Sequence, residues 1–164
     1  MRSHEVFARM SPEQAERLLG ELSSGSPATA TLVQTAIAEA FKLRPRFLRA
    51  QPRTRQADWM RKVLSRPTSA ATAEEVLASY FLDQHPKLLH ELLDKLGVEH
   101  EEGRLLEDHP DCPATRKLRK AVGEFLDGDE PARRRLLLEA FAAQSAIQWP
   151  ALEKLLESGP PSSS

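Results

Sequence analysis

One cysteine stands in 164 residues, 5% of the chain is aromatic, and only seven residues are glycine. Each scarcity excludes something. A lone Cys112 cannot close an internal disulfide, and cysteine poverty fits a reducing compartment, so the cytoplasm is the expected location. Few aromatics, and no sustained alternation of apolar and polar strand formers, argue against a sheet. The glycines fall mostly near expected helix ends, which leaves no Gly-x-Gly-x-x-Gly turn and no phosphate-cradling loop. No Gly-x-Ser-x-Gly elbow presents a nucleophilic serine either. Apolar runs are short, as in Ala140-Phe141-Ala142-Ala143, against the ~18 residues that would suggest a membrane span. Arg9 interrupts the apolar residues that follow Met1, so no secretory signal is expected.

What is there reads as a soluble globular chain, with 40% hydrophobic and 29% charged residues. Its length suits one domain without covalent staples. The expected organisation is a single helical domain over 1–158 and a disordered Gly/Pro/Ser tail over 159–164.

Helical punctuation dominates the order of residues. Ser11-Pro12-Glu13-Gln14 supplies an N-cap serine, a proline at the first helical position and a glutamine three residues on, and Ser23-Ser24-Gly25-Ser26 ends that helix. Pro27 opens a second, with Leu32, Val33, Ala36, Ile37 and Ala40 on a wide apolar face. Pro45 and Pro52 then separate a short turn over 46–51 from a helix over about 54–65. Thr72-Ala73-Glu74-Glu75 reads as another capping box. Pro86 starts a leucine-faced helix that Gly97 closes as a C-cap. The segment from Val98 to Asp111 is polar and broken. Pro113 opens a helix, Asp129 caps one over 131–143, and Pro150 starts the last. The class is all-α, a compact domain of seven to nine short helices. Stacked hairpins are one candidate arrangement, because Phe81-Leu82-Asp83-Gln84-His85-Pro86 has an echo 44 residues later in Phe125-Leu126-Asp127-Gly128-Asp129-Glu130-Pro131. The generic chemistry of helix–Asp–Pro–helix turns accounts for the same echo.

Charge is divided unevenly. Between Lys42 and Arg66, nine bases (Lys42, Arg44, Arg46, Arg49, Arg53, Arg55, Arg61, Lys62 and Arg66) face one acid, Asp58, for a net +8, while the remainder of the chain carries a net −9. Such asymmetry points to a charged partner. Arg44, Arg46, Arg49, Arg53, Arg55, Arg61 and Lys62 are the candidate partner-binding residues. Phosphates suit several guanidinium groups along one surface. The plainer expectation is a solvated basic face that pairs with the molecule's own acidic half or with a second subunit. Trp59 beside Met60, Val63 and Leu64 reads as a buried anchor, which makes the stretch part of a folded domain.

The remaining chemistry is thin. His100, His109 and Cys112 lie within 13 residues among acids and are the weak candidates for a metal. No paired two-ligand cluster accompanies them, so no metal and no cofactor is expected, and turn and capping work explains the same residues. His90 and Asp94 are spaced i, i+4 but fall opposite the leucine face, toward solvent. Cys112 near His109 lacks an orienting third group, so no catalytic residue is assigned and the chain leans away from enzymes. The leading expectation is a non-enzymatic helical interaction module that docks an acidic protein surface or a second copy of itself. A nucleic-acid-binding protein using the same arginines comes second, and a metal-dependent helical enzyme third.

Overall fold

The computed structural model describes residues 1–158; the expected tail over 159–164 lies outside them. The fold is all-α. Among the described residues there are ten α-helices: α1 (Ser3–Arg9), α2 (Pro12–Gly25), α3 (Pro27–Phe41), α4 (Pro45–Ala50), α5 (Arg53–Leu64), α6 (Ala70–Gln84), α7 (Pro86–Leu96), α8 (Thr115–Leu126), α9 (Pro131–Ala142) and α10 (Pro150–Glu157). A 3-10 turn over Pro67–Ser69 leads into α6, and two strands of two residues each, β1 (His100–Glu101) and β2 (Arg104–Leu105), form a small hairpin. Nine of the ten helices have seven residues or more, α4 being the exception.

Proline punctuation sets most of these boundaries. Proline occupies the first helical position of α2, α3, α4, α7, α9 and α10, where its missing N–H costs nothing. At α2 the capping box is complete, with Gln14 N–H donating to Ser11 Oγ at 3.1 Å and Ser11 N–H donating to Gln14 Oε1 at 3.3 Å. Gly97 ends α7 in the left-handed region at φ 69°, and Val98 N–H reaches back to Leu93 O at 3.0 Å.

Four local expectations are corrected. Thr72 does not cap a helix, because the turn at Pro67–Ser69 has already started the spiral and Thr72 lies inside α6. Pro113 precedes α8 by two residues, and Ala114 is its N-cap. Asp129 does not cap α9; Glu130 holds that place at φ 57°, and the Asp129 carbonyl instead accepts from Arg134 Nε at 2.7 Å. The segment after Gly97 contains a true hairpin. Glu102 and Gly103 both have positive φ, which matches the right-handed twist of paired strands and lets a two-residue loop join them. α1 went unanticipated: only Val6 and Phe7 of its apolar side chains are buried, too few to make a periodic pattern.

The chain divides into two compact units, Arg2–Gln84 and the stretch from His85 onward together with Met1. In the first, α2 packs on α5 and α3, α1 on α5 and α6, and α4 on α3. Phe7, Leu18, Leu22, Ile37, Leu48 and Met60 are essentially inaccessible there. Its end folds back on the α2–α3 junction, where Ser26 Oγ accepts from Gln84 Nε2 at 2.7 Å and donates to Asp83 Oδ2 at 3.2 Å. In the second unit α7 packs on α8, α8 on α9, and α10 on both α8 and α9, around Leu92, Leu118, Phe125, Leu138, Phe141 and Leu152. Burial at this scale is the main source of stability for both.

Candidate interaction surfaces

The basic stretch is built on one apolar anchor per helix turn. In α4 only Leu48 is buried, so Arg46, Phe47 and Arg49 stand out around it, with Arg44 just before. In α5 Ala57, Met60, Val63 and Leu64 turn inward while Arg53, Arg55 and Lys62 are exposed. Arg61 is half-buried, and its Nε has no hydrogen-bond partner. Asp58, the single acid of the stretch, pairs with Lys62 at 3.0 Å. That surface pair is worth little, and it leaves the arginine excess intact.

Trp59 is half-buried rather than the buried anchor expected. It belongs to a stacked row. Arg55 lies over its ring at 4.8 Å, Phe41 sits beside it at 6.3 Å, and Arg66 lies over Phe41 at 5.4 Å. Two guanidinium groups are thereby held extended against aromatic faces, and Arg55 is further tied to Gln51 Oε1 at 3.0 Å. Such arginines lose less rotamer freedom on meeting an anion than free ones would. Phe47 is 46% exposed within this basic ground.

The acidic counterpart is the segment from Glu99 to Asp111. Glu99, Glu101, Glu102, Glu107, Asp108 and Asp111 are exposed with only Arg104 among them, a net −5. The hairpin is fixed to the end of α7 by His100. Gly103 N–H donates to His100 Nδ1 at 3.1 Å, so the ring proton sits on Nε2 and is donated to Asp94 Oδ1 at 2.8 Å. The His90 ring packs against that of His100 at 5.3 Å, so His90 is half-buried rather than solvated. A shallow recess of about 580 Å³ opens here, lined by Asp94, Gly97, Val98, Glu99, His100 and Leu106. Leu106 is 59% exposed at its edge, and it and Phe47 are the large apolar side chains most exposed among the described residues.

The weak metal candidates do not converge. His100 is occupied as described, exposed His109 faces the Ala146 carbonyl at 3.3 Å, and Cys112 is exposed. Among the described residues no group of three His, Cys, Asp or Glu side chains could hold a metal ion. Desolvation pushes the Cys112 thiol above its ordinary value, which disfavours the thiolate. Trp149 pins the far end of the acidic segment, donating from Nε1 to Pro110 O at 2.9 Å while its ring meets Phe141 edge-on at 5.3 Å.

A second cationic surface was missed in the sequence. Arg116, Lys117, Arg119 and Lys120 are exposed on the first turns of α8, around buried Leu118. They oppose the helix dipole, which favours acids at that end; the first turn holds none and Ala114 offers no side-chain cap. Glu124 within α8 and Asp108, Asp111, Asp127 and Asp129 on either side of it hid this cluster from a charge count over longer windows.

Comparison with protein-family models, curated proteins and solved structures finds no match. Among the described residues no helix is long and apolar enough to cross a membrane.

Proposed function

We propose that this protein is a non-enzymatic helical interaction module whose α4–α5 surface docks an acidic protein surface. The observation that carries the reading is Phe47, exposed amid Arg44, Arg46, Arg49 and Arg53. An apolar ring within arginines is the composition of an interface centre, since aromatic and arginine side chains concentrate binding energy. Arginines steer the encounter, and the ring gains on being desolvated.

The test uses two fluorescent probes: a glutamate-rich peptide with one central leucine, and a single-stranded oligonucleotide. Anisotropy titrations are expected to show peptide binding that weakens with salt and falls at least about tenfold, a loss of ~1.4 kcal/mol, in Phe47→Ser, which leaves every charge in place. Peptide binding that ignores Phe47, or no peptide binding at about 0.05 M salt, where screening is weak, rejects the reading.

Nucleic acid is the second reading, favoured by one observation: exposed bases recur on α8, so each unit offers cations to a polyanion. That reading expects oligonucleotide binding indifferent to Phe47→Ser, with a log–log salt slope of about −0.7 per phosphate contacted on the single strand.

A further inference from the structure

We infer that the acidic surface docked by α4–α5 is the β1–β2 hairpin region of a second copy of this chain, with Phe47 of one copy entering the recess beside Leu106 of the other. This rests on the proposed function and names its partner. Three features coincide. The exposed Phe47 stands in a stretch of net +8, and the exposed Leu106 stands in a segment of net −5. The recess beside Leu106 is lined by Gly97 and Val98 together with two acidic residues, Asp94 and Glu99. Arg46 and Arg49 flank Phe47 in sequence and are exposed, so they suit Glu99 and Glu101, which are exposed as well. None of the hairpin acids is engaged in an ion pair among the described residues, and the only acid within the basic stretch is already taken by Lys62.

Opposite charges alone would give loose, screened attraction. An apolar side chain at the centre of each patch adds a desolvated contact and fixes register. The basic patch and the recess lie on the same chain, so a second copy supplies the complement of each. Two reciprocal contacts close a dimer if they are related by a twofold axis, and otherwise the copies add head to tail.

Sedimentation of the full chain over a concentration series, at about 0.05 M and about 0.5 M salt, provides the test. The wild type is expected to self-associate, less so at high salt. Phe47→Ser and Leu106→Ser, both at exposed positions and checked for unchanged helical circular dichroism, should each weaken self-association at least about tenfold. Mixing the two variants should restore association, because Phe47→Ser keeps an intact recess and Leu106→Ser keeps an intact Phe47. A wild type that stays monomeric, an association indifferent to Leu106→Ser, or a mixture that stays as weak as its components overturns the inference. Binding of the leucine-containing acidic peptide by Leu106→Ser separates the two levels: if it persists while the wild type is monomeric, the acidic-docking reading stands and the second copy is not the partner.

Discussion

Arg134 shows how a single residue can be decisive without any signal in the sequence. It lies in α9 between Arg133 and Arg135, and nothing in that run of three sets it apart. The structure buries it almost completely, with Nη1 donating to Phe125 O at 3.0 Å and pairing with Glu91 at 2.8 Å. Nε donates to Asp129 O, and the guanidinium lies 4.8 Å over the Phe125 ring. Arg134 thereby gives two carbonyls at the α8–α9 turn a charged donor, the buried one, Phe125 O, also accepting from Gly128 N–H at 3.3 Å, and hydrogen bonds to charged groups contribute more than neutral ones. Gly128 is part of the same arrangement, since a Cβ there would run into the guanidinium. Arg134→Met is expected to cost about 2–3 kcal/mol, the Glu91 pair adding little because that carboxylate is partly exposed. Gly128→Ala should also destabilise, and the double variant should lose less than the sum, because one guanidinium carries both effects. Urea midpoints of the four proteins measure this; strict additivity would separate Gly128 from Arg134.

At the level of elements, boundaries were legible wherever the signal was local. Ser11-Pro12, Pro27, Pro86, Gly97 and Pro150 mark helix ends by chemistry that acts within one turn, and the structure places ends at each of them. Where an end depends on what surrounds it, local chemistry misled. Thr72-Ala73-Glu74-Glu75 has the form of a cap but lies within α6, and Asp129 yielded the cap position to Glu130. α8 is an element whose charges contradict its own dipole, an arrangement that a folding optimum would not choose. Arg116→Glu and Lys117→Glu are expected to raise stability by about 0.3–1 kcal/mol each, read as higher urea midpoints with unchanged slopes. A lower midpoint would mean that these cations hold the fold through contacts of their own. The same variants should weaken oligonucleotide binding if the second functional reading holds.

For the whole molecule, the division at Gln84–His85 predicts separable folding. The unit Arg2–Gln84 has its own core, and Ser26 ties its last residues back to the α2–α3 junction. Expressed alone, it is expected to keep its helical circular dichroism and to unfold cooperatively in urea; a broad, gradual transition would contradict this. The sequence by itself determined the all-α class, the proline starts of α2, α3, α7, α9 and α10 and the division of charge, because propensity, capping and composition act over a few residues, whereas the expected turn over 46–51 is the helix α4. Only the tertiary structure decided that Phe47 and Leu106 are exposed while Leu48 is buried, that His100 clasps Asp94, and that Trp59 joins Phe41 between two arginines. Exposure is the outcome of packing among helices distant in sequence, and no local pattern records which apolar side chain a fold leaves out.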